Sequence, residues 1–305
     1  MEDILKLLGG AAATMLLAFV VGATYGGLVR KIIARTQNRV GPPWYQNFVD
    51  ISKLYMKDTA VHHGVMQHIG PAFAITASVT VLMFVPVLRE GGWFPWFENL
   101  NFKGDIIFLI YMMVFGSLGM ALGIGQTGNP NASIGVSRGL SMMVGYEIPF
   151  VLSLVSVMVQ THTTSITGLM EWQTQNGWLM FEAPFAFITM LLAILGMFHY
   201  APFDIAHAPS EIASGPPSEF GGKYLAMMMT SGSIFAFAKL VFLVDVFMNG
   251  ASNLVMLVVK TLLLYMVPVL YGAVSPRYRT EQAIRYLWGW PVFFGIIALI
   301  YSIYI

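Results

Sequence analysis

Between two long apolar runs the sequence reads PFDIAHAPSEIASGPPSEFGGKY, residues 202–224. Asp204, Glu211 and Glu219 place three carboxylates there, His207 adds an imidazole, and four prolines stiffen the backbone. Such groups bind and release protons and pair with arginines. Further ionisable residues interrupt the apolar runs themselves: Glu147 in SMMVGYEIPF, then Lys239 and Lys260. A charge at membrane depth costs several kcal/mol unless it faces protein or water, so Glu147 and Lys239 are candidates for an ion path. Pro149 removes a helix hydrogen bond close to Glu147 and frees a carbonyl that can hold water beside the acid. Lys260 lies near the end of its run, where a lysine can snorkel to the interface.

The acidic stretch reads as irregular over 209–219, because Pro209, Gly215, Pro216 and Pro217 interrupt it. Irregular backbone is tolerated at a membrane only where protein buries it. Its acids should therefore face an internal cavity or a docked partner. His62, His63 and His68 have no matching acid or cysteine spacing and read as solvated loop residues, not metal ligands. The chain has no cysteine, which excludes a disulfide, a thiolate zinc site and a cysteine-ligated iron–sulfur cluster of its own. No phosphate loop, nucleophile elbow or dinucleotide fingerprint occurs.

The elements that position these groups follow from composition. Of 305 residues, 57% are hydrophobic and 10% charged, against roughly 25% charged in a soluble domain. The chain is expected to be all-α, a single integral membrane domain over residues 1–305. A span needs about 20 apolar residues. Eight candidates meet or approach that length: 4–29, 71–88, 105–125, 134–159, 183–203, 223–246, 253–275 and 283–304. Arg30, Lys31, Arg35, Arg39, Lys53, Lys57, Arg138, Lys223, Arg277, Arg279 and Arg285 fall on one side, against Lys6, Arg89 and Lys103 on the other. The positive-inside rule makes the first side cytoplasmic and puts both termini outside. A net charge of +1 gives no reason to expect a nucleic-acid partner.

Two connections exceed simple turns. After Pro42–Pro43, WYQNFVDISKLYMKD sets Trp44, Phe48, Ile51 and Tyr55 on one face, as in an amphipathic helix lying at the interface. The 160–182 segment, with Trp172 and Trp178, is a second interfacial candidate.

Three stretches, RTQNRVGPPWYQNFVDISKLYMKD, RGLSMMVGYEIPF and PFDIAHAPSEIASGPPSEFGG, resemble the signatures of one membrane protein family. It is the H-type component that joins the peripheral and membrane arms of respiratory complex I and recurs in membrane-bound [NiFe] hydrogenases. The likeness covers most of the chain in the same order. It implies a prokaryotic plasma-membrane subunit that carries no cofactor itself. The [NiFe] site and iron–sulfur clusters would belong to hydrogenase-like large and small subunits docked on it, with antiporter-like subunits beside it in the bilayer. Carried over, Tyr146 and Glu147 match the family's tyrosine–glutamate pair, and Asp204, Glu211 and Glu219 match its loop acids. These, with Lys239, would serve ion translocation. Arg35, Arg39, Asp50, Lys53, Arg138 and His207 would meet the docked arm. Complex I members carry two further glutamates after the PFD element, where this chain has His207 and Pro209. That departure favours the hydrogenase-like branch, fed by ferredoxin, over quinone reduction. An NADH dehydrogenase-like quinone-site subunit, a sulfur-reducing relative and a structural anchor are the alternatives.

Overall fold

The computed structural model describes residues 2–59, 64–89, 100 and 102–304, with side chains from residue 9 onward. His62 and His63 lie outside the described residues. The chain is helical throughout: α1 (Glu2–Thr36), α2 (Gln46–Tyr55), α3 (Met66–Phe84), α4 (Asp105–Ile124), α5 (Pro130–Thr161), α6 (Ile166–Asn176), α7 (Leu179–Glu182), α8 (Pro184–Met197), α9 (Pro209–Ile212), α10 (Gly222–Met248), α11 (Leu254–Val274), α12 (Thr280–Trp288) and α13 (Trp290–Tyr304). No strand occurs among the described residues. Among the described residues, seven stretches are long and apolar enough to cross a membrane, the last formed by α12 and α13 in succession.

The fifth expected span is the exception. Hydropathy predicts a crossing over 183–203, but α8 ends at Met197 after 14 residues. At 1.5 Å per residue it covers about 21 Å, short of a hydrocarbon core of about 30 Å. His199 takes φ of 53° and stops the helix, and Pro202 follows. The chain thus leaves helical geometry while still inside the bundle. That break positions the site described below.

α10 is the axis of the fold. Every residue from Phe237 to Met248 is buried, as a helix apolar on all faces must be. α1, α3, α2 and α11 surround it, so the two ionisable residues of its buried stretch, Lys239 and Asp245, are enclosed by protein. The small residues of α1 allow this closeness. A Cβ on Gly22 would sit 2.0 Å from the Ser233 carbonyl oxygen of α10, and one on Gly27 1.8 Å from that of Trp44. Gly27→Val should therefore drive α1 away from the turn that leads into α2 and destabilise the fold by more than about 2 kcal/mol. Thermal unfolding in detergent checks this, with Gly9→Ala as the control, since nothing lies within 4 Å of a Cβ there.

The amphipathic helix forms as α2, but its inner face differs from the expected one. Ile51 is buried and Phe48 meets Phe19 edge-on, whereas Trp44 and Tyr55 are exposed. The other buried residue is polar: Asn47 donates from Nδ2 to the Ala23 carbonyl at 3.2 Å. The 160–182 segment is helical too. It folds as α6 and α7 against the end of α10, burying Ile166, Leu169, Met170 and Leu179. Gln173 fastens it by donating to the Asp245 carbonyl at 2.9 Å and accepting from the Asn249 N–H.

Candidate functional site

The loop from Phe198 to Gly221 is more ordered than its prolines suggest. It holds the single-turn α9 and a 3-10 turn, Pro216–Glu219. Gly135 of α5 lets it press close, since a Cβ there would lie 2.5 Å from Pro216 Cδ. Arg277, from the connection after α11, gathers its acids. One guanidinium nitrogen lies 3.1 Å from Asp204 Oδ2 and another 3.8 Å from Glu211 Oε1. Arg138 of α5 holds the second Glu211 oxygen at 2.9 Å. This acid–arginine network ties three separate parts of the chain together. Glu219 lies apart from it, accepting from Asn129 Nδ2 at 2.5 Å, while its carbonyl accepts from Gln67. Burial raises the Asp204 carboxyl above its ordinary pKa, a shift that Arg277 opposes.

The loop also forms part of the wall of a cavity of about 550 Å³, together with α1, α2, α4, α5 and α10. Its lining is largely apolar, but His199, His207, Lys239 and Arg30 bring basic groups to it. His207 is thus in the cavity wall and not on the outer face of the loop. Burial lowers its pKa, partly offset by Asp204. Lys239 is buried, with Nζ 4.2 Å from the Phe235 ring centroid. Among the described residues it has no hydrogen-bond partner or ion pair. Tyr200 and Tyr265 share a 2.5 Å hydrogen bond at the same wall.

Glu147 sits on the flank of α5, half-buried, between exposed Val144 and Ile148. Its neighbour Tyr146 is buried and meets the His199 ring edge-on at 5.9 Å. Pro149 does not end α5, which runs unbroken past it to Thr161. Asp50 pairs with Arg30 at 3.1 Å. Arg35, Arg39 and Lys53 project from the same end of the bundle, largely open to solvent.

Three important groups are missing from the candidates singled out in the sequence. His199 falls inside an expected span, although its place just before Ala201–Pro202 marks a break. Arg277 reads only as a loop charge. Asp245, in the apolar VFLVDVFM, is as visible in the sequence as Glu147; it is 1% exposed with both carboxylate oxygens lacking a hydrogen bond. Lys260 does not snorkel. Its Nζ turns inward to the carbonyls of Met248 and Gly250, each at 2.6 Å, beside the Trp178 ring. No cluster of three or more metal-ligating side chains occurs among the described residues.

A family model described as NADH dehydrogenase matches residues 10–303. The H-type NADH-quinone oxidoreductase subunit of Geobacillus sp. (strain WCH70) is 26% identical over 310 residues, covering 95% of this chain and 90% of that one. Its counterpart in Bacillus thuringiensis (strain Al Hakam) is 25% identical, covering 94% and 90%. Among solved structures, a chain of the membrane-bound sulfane sulfur reductase, an archaeal respiratory membrane complex, superposes with a TM-score of 0.90. It is 29% identical, over 99% of this chain and 100% of that one.

Proposed function

We propose, for a chain that belongs to the NADH dehydrogenase family and is a membrane subunit of a complex I-like respiratory complex, the role of coupling element between a docked redox arm and ion movement. In this reading the complex is ferredoxin-linked and of the membrane-bound hydrogenase type, a group with the sulfane sulfur reductase as a relative. Hydrogenase-like subunits carry the [NiFe] and iron–sulfur centres, and antiporter-like subunits carry the ions, protons or sodium, across the prokaryotic plasma membrane. The exposed Arg35, Arg39 and Lys53 serve the redox arm on the cytoplasmic side, and both termini lie outside.

One observation carries this reading: the loop that holds Asp204 and Glu211 in the network with Arg277 and Arg138 also puts His207 into the wall of a cavity that reaches Lys239 inside the central helix. A charge arriving in the docked arm acts first on that network. Two unit charges roughly 8 Å apart at an effective dielectric of about 20 interact by about 2 kcal/mol, enough to move a proton between groups of similar affinity. Such coupling needs no cofactor in this chain.

The test is the intact complex, purified gently and sealed into liposomes, with reduced ferredoxin as electron donor. Ion uptake that follows redox turnover, with the hydrogenase-like and antiporter-like chains co-purifying, is the expected result. A stable isolated chain, or turnover without uptake, contradicts it. The cavity favours one second reading. Its volume and apolar walls suit a lipid-soluble ligand, and the bacterial relatives are named for quinone. Quinone reduction by the same preparation would select that reading over the hydrogenase type.

A further inference from the structure

Two imidazoles stand between the acid–arginine network and the central lysine. The His207 ring is a neighbour of Asp204. It lies 6.3 Å, centroid to centroid, from the His199 ring, which in turn is within electrostatic reach of Lys239. His199, His207 and Lys239 line the same cavity. The hydrogen bonds fix which nitrogens can act. His199 Nδ1 donates to the Met197 carbonyl at 3.2 Å, which leaves Nε2 with the lone pair. His207 Nδ1 is buried and has no partner, whereas buried polar atoms are almost always satisfied. A centroid separation of this size leaves space for a water between the rings, and the cavity that both rings line has room to supply it.

We propose that His199 and His207 form a two-imidazole proton relay across the cavity, linking the Asp204 carboxyl to the Lys239 amine. The inference rests on the coupling role proposed above. Each ring takes a proton at its lone-pair nitrogen and yields one to the next group. Only N–H and O–H bonds form and break, and neither oxidant nor reductant is required. The groups around the pair set its working state. Asp204 faces it from the loop with Arg277 and Glu211 behind, Tyr146 next to Glu147 from α5, Lys239 from α10, Tyr265 from α11 and Arg30 from α1. Burial lowers the pKa of both rings, and His207 and Lys239 lower that of His199 further. Both imidazoles are thus neutral at pH 7, and each protonated ring is short-lived.

The experiment uses the reconstituted complex carrying His199→Ala, His207→Ala, His199→Gln or His207→Gln, with free imidazole as the probe. Either alanine variant should lower redox-driven ion uptake about a hundredfold, and imidazole added to the buffer should restore much of it by entering the vacated wall. The glutamine variants keep a hydrogen-bonding side chain without a titrating group and should stay impaired with the complex assembled. Uptake restored by glutamine, or unchanged in either alanine variant, overturns the relay, as does a loss that imidazole does not relieve. Glu147→Gln, measured alongside, separates the two levels. If it stops uptake while the histidine variants pump normally, only the relay fails. If wild-type complex moves no ions at all, the coupling role fails and takes the relay with it.

Discussion

Glu147→Gln should reduce redox-driven ion uptake at least about tenfold while the complex assembles with its full set of subunits. Glutamine keeps the volume and hydrogen-bonding capacity of the acid but cannot release a proton, so a loss specific to transport reports proton handling. The location of Glu147 sharpens this expectation. It is half-buried on the flank of α5, with Val144 and Ile148 exposed beside it. A carboxylate at membrane depth is tolerated only against protein or water. Facing lipid, Glu147 would be costly and its removal would stabilise the chain. Covered by a neighbouring membrane subunit, it stands where a path leaving this chain must cross. Tyr146, one residue earlier, turns inward to the cavity-lining His199, so the pair has one member packed inside the bundle and one on its flank. Ion uptake per redox turnover in the reconstituted variant, beside subunit composition, is the measurement. Uptake equal to wild type removes Glu147 from the path.

Much of this arrangement can be read from residue types and spacing, and the exceptions share a cause. Long apolar runs specify helices because a backbone in lipid has no other way to satisfy its polar groups. Seven such runs form helices long enough to cross. The run at 183–203 does not, because hydropathy counts His199 and Tyr200 as interruptions too brief to matter. Backbone geometry decides otherwise: His199 leaves the helical region and Pro202 cannot resume it. The site is legible in the same partial way. Asp204, His207 and Glu211 announce themselves by their density, but their partner Arg277 lies 73 positions from Asp204. Only the folded chain brings it near. The 160–182 segment is legible in part for a related reason. Its two tryptophans stand out, but nothing in the pattern points to Gln173, which fixes the segment to α10 and Asn249. Helix faces are specified by composition; pairings between distant polar residues are not.

Two buried ionisable groups at the far end of the bundle give the second large effect. Lys260→Met should destabilise the chain by about 2 kcal/mol or more, because it leaves two buried carbonyls without a donor, at about 1–3 kcal/mol each. Lys260 is 5% exposed and Asp245 1% exposed, so water can replace neither charge. The ammonium serves two purposes at once. It donates to the Met248 and Gly250 carbonyls, where α10 ends and its last carbonyls have no helical partner. It also lies within electrostatic reach of the Asp245 carboxyl, which has no hydrogen bond among the described residues. Methionine fills similar space and supplies neither. Thermal unfolding of the complex in detergent should show the loss in Lys260→Met, and a cycle with Asp245→Asn and the double variant measures any interaction between the two groups. If the effects simply add, Asp245 and Lys260 act independently, and the Met248 and Gly250 carbonyl contacts alone explain why this lysine points into the protein.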